Sequence, residues 1–360
     1  MKKGIDRIGR FDKRPLAHDA FPSDLEQTMT DLHDTLLTLD SHIDIPWPDR
    51  QDAWAEETSR QVNVPKTRKG GLRAVCLAAY IPQGPRDDDG HAEGWFRVQA
   101  MLNVISGLEG GQGVRVCRTA ADVRAAYEAD DLAVIPAIEN GHALGGQPER
   151  ITELARKYGV RYMTLTHNGH NALADAAIPR KDLEDSETLH EGLSDLGREA
   201  IAKMNRSGVL VDVSHAAKST MMQATEVSTT PVFASHSCAR ALCDHPRNLD
   251  DEQLDRLKET GGLIQVTAMG SFLKKGGGGT VEDLVRHVSY IADRIGVEHV
   301  GISSDFDGGG GIPGWKDATE TANVTRALQA AGFSDKDIAA IWGGNMLRLL
   351  ETAEKAATQA

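Results

Sequence analysis

The stretch SDLGREAIAKMNRSGVLVDVSH, residues 194–215, decides the fold. Ser194 and Asp195 open a helix, Leu196, Ala200 and Met204 share one of its faces, and Gly208 stops it. The run from Val209 to His215 is rich in β-branched and aliphatic residues without strict alternation. That texture suits a strand buried on both faces, as in a parallel sheet clothed by helices. A helix that hands over at once to such a strand is part of a β/α unit, and this strand ends in a histidine.

Working outward, the same texture recurs. Strands are predicted over Thr35 to Asp44, Ala74 to Ile81, Leu132 to Glu139, Val160 to His167, Val209 to His215, Pro231 to His236, Gly262 to Ala268 and His299 to Asp305. Eight such units with helices between them imply a closed (β/α)8 TIM-type barrel. Thr119 with Asp122 starts a short Ala-rich helix, and Ser334 with Asp337 caps the last long helix, with Ile338, Ile341 and Leu349 among its apolar residues. The chain divides into an N-terminal extension, 1–34, and a single catalytic barrel domain, 35–360. An amphipathic stretch from Leu25 to Leu37 is expected to cover the barrel's bottom or edge. The acidic segment QGPRDDDGHAEG, 83–94, reads as a surface loop. Two runs of four glycines, Gly276–Gly279 and Gly308–Gly311, are not followed by the Lys-Ser/Thr of a phosphate loop, so they read as mobile active-site loops.

Composition narrows the function. A chain of 360 residues that is 40% hydrophobic can bury a large core, and its net charge of −13 without a basic cluster argues against nucleic acid as a partner. No apolar run approaches the ~20 residues needed to cross a bilayer. The opening MKKGIDRIGRFDKRP has no apolar core behind it, and EKAATQA at the other end is polar, so neither a secretory leader nor a lipid-anchor signal is read. A cytoplasmic location with no membrane partner is the expectation. Four cysteines with no CxxC pair do not make a disulfide scaffold. Cys76 reads as a buried hydrophobe, and Cys238, two residues past His236, as structural rather than nucleophilic.

The chemistry lies at the strand ends. A parallel barrel pools the C-terminal tips of its strands into one pocket. His42 and Asp44, Glu139, His215, His236 and Asp305 end predicted strands one, three, five, six and eight. Residues two apart on a strand face the same side, so His42 and Asp44 can hold one ion together. Three imidazoles and three carboxylates can supply two divalent ions with mixed N/O shells, a preference of zinc where thiolate is absent. Glu139 is the natural bridge. A hydroxide between two cations forms near neutral pH and attacks a carbonyl carbon, and Asp305 is placed to shuttle the proton.

The segments LDSHID, TLTHNGHNALAD, GLSDLGREAIAKMNRSGVLVDVSH, PVFASHSCARALCDHPRN, VGISSDFDG and GGNMLRLLE resemble, in the same order, the membrane (renal) dipeptidase family, metallopeptidase family M19 of the amidohydrolase superfamily. The resemblance runs from about residue 38 to residue 350. It implies a binuclear zinc barrel that hydrolyses the peptide bond of dipeptides, often with a D-residue at the C-terminal position. By position it implies His42 and Asp44 on one zinc, His215 and His236 on the other, Glu139 bridging, and Asp305 as general acid/base. His167 in TLTH matches a histidine that contacts the scissile carbonyl. Arg247 in HPRN matches the arginine that binds the substrate's terminal carboxylate, a role that suits a guanidinium fork. A homodimer is plausible by the same resemblance.

Some features depart from the better-known mammalian members. QVTAMGSFLKKGGGG, 265–279, is read as lacking the aromatic substrate contacts expected there, and Asn140-Gly141-His142 follows the bridging Glu where small glycines are more usual. His142 and His170 are given supporting or solvent roles, and Asp307 stays unassigned, able to orient a loop or bind a backbone amide. Two rival functions remain. One is a hydrolase of a cyclic amide or lactone, or a deaminase, on the same scaffold; a bridging Glu at strand three and a carboxylate-reading Arg247 argue against it. The other is a metal-stabilised scaffold without turnover, which requires the loss of a ligand or of the proton shuttle.

Overall fold

The computed structural model describes residues 32–45, 59–111 and 113–359. Residues 195–207 are helical as the spacing predicts: Ser194 Oγ accepts from the N–H of Gly197, and Gly208, at φ 66°, takes the left-handed conformation that ends the helix. The next strand, Leu210–Asp212, is buried throughout.

Among the described residues the strands are β1 (Leu39–Asp44), β2 (Ala74–Tyr80), β3 (Val114–Val116), β4 (Leu132–Glu139), β5 (Tyr162–Thr164), β6 (Leu210–Asp212), β7 (Phe233–Ser237), β8 (Leu263–Thr267) and β9 (Val300–Ser303). Eight pair in the order β1-β2-β4-β5-β6-β7-β8-β9, all parallel. The seam closes just past β9, where the N–H of Asp44 donates to the carbonyl of Phe306 (3.1 Å) and that of Asp305 to the carbonyl of His42 (3.1 Å). Asp40 Oδ1 tightens it, accepting from the N–H of Ser304 at 2.9 Å. The architecture is the (β/α)8 barrel that the strand–helix alternation predicts.

Three sequence expectations are corrected. The first is β3, an additional strand: Val114–Val116 pairs with the first residues of β4, while β5 pairs with its end. Three residues are too short for a periodicity to register. Second, several strands are shorter than predicted, because the chain leaves the ladder before its last residues reach the barrel mouth; Thr35 belongs to a helical turn over 32–35, and β1 starts only at Leu39. Third, residues 83–94 are not all loop. Asp87 accepts from the N–H of Gly90 and starts a helix over Asp88–Ser106, whose acidic first turn complements the positive end of the helix dipole. Most of the stretch Leu25 to Leu37 lies outside the described residues. His33, at its end, is buried, with Nδ1 2.7 Å from Thr325 Oγ1 and Nε2 2.8 Å from the carbonyl of Gly70.

Two apolar layers hold the barrel. Outward residues such as Leu77, Val134, Val211 and Ile264 pack with helix residues such as Leu102, Ile201, Leu254 and Leu284. Inside, residues at the strand starts, among them Leu39, Ala74, Ala133, Leu210, Phe233 and Leu263, form a floor with Met346, Leu347 and Leu350. Each fully buried aliphatic side chain contributes ~2 kcal/mol. Met346, Leu347 and Leu350 belong to the C-terminal helix Asn345–Gln359, which follows a capped turn at Ser334 and a π-helical turn over Ala340–Gly344. Asn345 fixes that helix to β9 by donating to the carbonyls of Val297 (2.7 Å) and Val300 (2.8 Å). Among the described residues no helix is long and apolar enough to cross a membrane. All four cysteines are free and buried, and burial pushes the Cys238 thiol up to about 12, so it holds no thiolate at neutral pH.

Candidate metal centre

Glu139, the last residue of β4, stands at the middle of a histidine cluster. Its Oε1 lies 3.1 Å from His215 Nε2, 3.5 Å from His236 Nε2 and 3.9 Å from His167 Nε2; its Oε2 lies 3.6 Å from His42 Nε2. Asp44 Oδ1 is 3.5 Å from His42 Nε2. Two sets of potential ligands converge, His42 with Glu139 and His236, and Glu139 with His167 and His215. The five residues expected to hold metal are therefore together. His167 joins them more closely than a purely substrate-facing role requires.

The buried rings are set by their far nitrogens. Tyr162 Oη donates to the carbonyl of Ser41 (2.9 Å), so it can only accept from His42 Nδ1, 2.8 Å away. Ser235 Oγ donates to Asp212 Oδ2 (2.6 Å) and accepts from His236 Nδ1 (2.7 Å). His215 Nδ1 lies 3.1 Å from Asn168 Oδ1, an atom that only accepts. With each Nδ1 a donor, each Nε2 lone pair is turned toward Glu139, as a metal-binding imidazole requires. His42 Nε2 and Asp44 Oδ1 are buried without a hydrogen-bond partner among the described residues. Unpaired donor atoms of mixed N and O type, aimed at one point, fit divalent metal.

The electrostatics agree. Burial disfavours charge on His42, yet Glu139 and Asp44 outweigh it and raise its pKa, while burial lowers those of His215 and His236. Burial, with Asp44, raises that of Glu139. Carboxylates crowded this closely need positive charge; without metal a proton on His42 supplies part of it.

Asp305 and Arg247 complete the pocket. Asp305 is buried at φ 58°, and burial, opposed by His42 and reinforced by Asp44 and Glu139, pushes its carboxyl up to about 8. Gly308 makes room for it: a Cβ there would lie 2.6 Å from Asp44 Oδ2 and 2.7 Å from Asp305 Oδ1. The Arg247 side chain is buried; among the described residues its Nε and Nη1 have no hydrogen-bond partner, and Nη2 reaches only the carbonyl of His236 at 3.4 Å. Burial lowers its pKa to about 10, against the attraction of Glu139 and Asp305, so it remains a cation at neutral pH. An unpaired guanidinium in such a place awaits an anion.

These groups line one cavity of about 430 Å³, together with Tyr80, Asn168, Ile178, His245, Met269 and Phe272. Sequence reasoning did not find those six. Phe272 corrects the expectation for 265–279: the stretch does give the cavity an aromatic ring, beneath Arg247 at 5.4 Å and against His245 at 4.4 Å. The pairing of Tyr80 with His167, ring centres 4.8 Å apart, carried no signal beyond a Tyr at a strand end. His170 supports a loop instead of the site, its Nδ1 accepting from the N–H of Ala176 (3.0 Å). Asn140, at φ 88°, takes the place of a glycine by anchoring the turn, its side chain accepting from His142 N–H (3.1 Å) and donating to the carbonyl of Ile81 (2.9 Å). The glycine run at 308–311 is tied down rather than open, with Gln61 Nε2 donating to the carbonyl of Gly310 at 2.9 Å.

The family model described as membrane dipeptidase (peptidase family M19) matches residues 26–360. Dipeptidase tcpJ of Claviceps purpurea is 35% identical over 311 residues, spanning 84% of this chain and 71% of its own. Dipeptidase aclJ of Aspergillus oryzae is 31% identical over 316 residues, spanning 84% and 72%. The solved probable dipeptidase PvdM from Pseudomonas aeruginosa has a TM-score of 0.89 at 27% identity, covering 94% of this chain and 100% of that one. A metallo peptidase from Rhodobacter sphaeroides, liganded with a phosphinate mimic of L-Ala-D-Ala, gives 0.79 at 26% identity, with 89% and 100% covered. With candidate metal ligands at the strand tips of a barrel and a family match over residues 26–360, this chain belongs to the membrane dipeptidase family, the M19 metallopeptidases that hydrolyse peptide bonds.

Proposed function

We propose that this chain cleaves free dipeptides with two divalent cations, zinc by preference. His42 and Asp44 would hold one, His215 and His236 the other, with Glu139 bridging. When bound, the cations supply Lewis acidity and a water deprotonated near neutral pH as the nucleophile. Arg247 pairs with the substrate's terminal carboxylate and so fixes the scissile bond over Glu139. His167, whose pKa burial and Arg247 hold down at about 3, is a neutral N–H donor to the carbonyl oxygen as charge develops on it. Asp305 takes up a proton as the carbonyl carbon is attacked and gives it to the departing amine nitrogen, a role its raised pKa suits.

The observation that carries this reading is the unpaired, buried Arg247 guanidinium in the same cavity as the ligand cluster. A longer peptide has no carboxylate at that point, so it favours a dipeptidase over an endopeptidase. The mimic of L-Ala-D-Ala bound by the Rhodobacter relative supports including L-Xaa-D-Xaa dipeptides among the substrates.

Metal-quantified protein assayed against L-Xaa-L-Xaa and L-Xaa-D-Xaa panels, with and without chelator, is the test. Chelator-sensitive hydrolysis with two ions per chain is expected, and Asp305→Asn should keep the ions while losing about 10²-fold or more in kcat. Dipeptides left intact beside hydrolysed lactones or cyclic amides would overturn the proposal.

A further inference from the structure

Asp44 is a ligand whose side chain has little support of its own. Its Oδ1 is buried without a hydrogen-bond partner among the described residues. What fixes it is its main chain, held on one side by Phe306 and on the other, through Arg60, by Asp307. The N–H of Asp44 donates to the carbonyl of Phe306. Its carbonyl accepts from Arg60 Nη2 at 2.9 Å, and Arg60 is in turn gathered by Asp307, whose Oδ2 lies 3.2 Å from Nε and 3.0 Å from Nη2.

The same carboxylate straps the neighbouring segment onto the loop that carries Asp305. Asp307 Oδ1 accepts from the N–H of Gln61 at 2.9 Å, and Gln61 Oε1 accepts from the N–H of Asp307 at 2.7 Å. Gln61 Nε2 donates onward to the carbonyls of Gly310 and Lys316. Asp305 and Asp307 both sit in the left-handed region, at φ 58° and 61°. Each such residue costs roughly 1–2 kcal/mol and persists only where its surroundings over-determine it. The strap over 60–62 is such a surrounding for both.

We propose that Asp307 is a positioning residue of the metal site: through Arg60 it fixes the main chain of Asp44, and through Gln61 it holds the Asp305 loop. The inference rests on the reading of Asp44 as a metal ligand. Asp307→Asn keeps the shape and the acceptor for Gln61 but removes the charge that gathers Arg60. Arg60→Gln removes the donor to Asp44.

The experiment uses zinc-loaded full-length protein challenged with a chelator, with ions per chain followed by elemental analysis. Each single variant should release one of its two ions about 10-fold faster than the parent, a scale typical of groups that support metal ligands, with the thermal midpoint of the metal-free protein little moved. The double variant should be no worse than either single, because both act through one contact. Parent-like retention in Asp307→Asn, or effects that multiply in the double variant, would overturn the inference. Asp44→Ala in the same assay separates the two levels. If it also retains both ions, the ligand assignment itself falls; if it loses one while Asp307→Asn does not, only the role of Asp307 falls.

Discussion

The phenol oxygen of Tyr162 lies 2.8 Å from His42 Nδ1 while spending its only proton on the carbonyl of Ser41. That one-way arrangement fixes the tautomer of His42. Tyr162→Phe keeps the ring, which packs edge-on to Phe233 at 5.2 Å, and removes the acceptor. Affinity for one zinc ion should fall about 10-fold in calorimetric titration of metal-free protein. Unchanged affinity would show that His42 is oriented by something else.

Arg247→Met should separate function from stability. A buried guanidinium with two of its three nitrogens unpaired among the described residues carries a desolvation cost that one long hydrogen bond does not offset, so the apolar replacement is expected to raise the thermal midpoint of the metal-free protein. The same variant should lose about 10²-fold or more in kcat/KM on dipeptides with a free carboxylate, while the low rate on C-terminally amidated analogues stays unchanged. Equal losses on both substrates would contradict a carboxylate-binding role.

Gly308→Ala would drive a methyl group against the Asp44 and Asp305 carboxylates, both within 2.7 Å of the added carbon. The position is on an exposed loop, so the melting temperature should change little. Steady-state kinetics should show kcat reduced at least 10-fold, and parent-like kcat would mean that the loop yields without disturbing either acid.

Acid stability has a readable contributor outside the set of candidate metal ligands. His287 accepts from the N–H of Ala239 at Nδ1 (3.1 Å) and donates from Nε2 to the carbonyl of Leu273 (3.0 Å), so it is satisfied as the neutral form. Burial lowers its pKa from 6.5 to about 4, with the hydrogen bond to Leu273 opposing. The unfolded chain thus binds more protons between those values, and stability is lost as pH falls from about 6.5 toward 4, by ~3 kcal/mol. Urea melts of the parent and of His287→Gln at pH 7 and pH 4.5 should show a smaller loss in the variant, although the variant starts lower. An equal loss in both would rule out His287 as a source.

Much of the site was legible because its signals are of one kind: a metal-ligating residue type at the end of a buried, β-rich run. His42, Asp44, Glu139, His215, His236 and Asp305 all satisfied that rule, and they meet in space. What supports them was not legible. Tyr162, Asp212 and Ser235 lie inside strands, where Tyr and Ser are ordinary residues, and their role depends on which strand lies opposite. Arg60 and Asp307 are 247 positions apart, a pairing that only barrel closure creates. The fold shows the same division. Alternating textures foretold the eight-stranded circuit, whereas the helix at Asp88–Ser106 was hidden because its acidic, Gly-containing start has the composition of a loop, and its Asp87 cap shows only in the folded backbone.

The floor of the barrel draws on both ends of the described chain. Leu39 and Ala74 are made early, but Met346, Leu347 and Leu350, which close the interior beneath them, are translated about 300 residues later. A nascent polypeptide can therefore stack most of its β/α units while the underside stays open and greasy, and the catalytic mouth gains its rigid base only after synthesis has passed this last helix. Chaperone capture is expected to concentrate on ribosome-bound chains that stop short of Asn345.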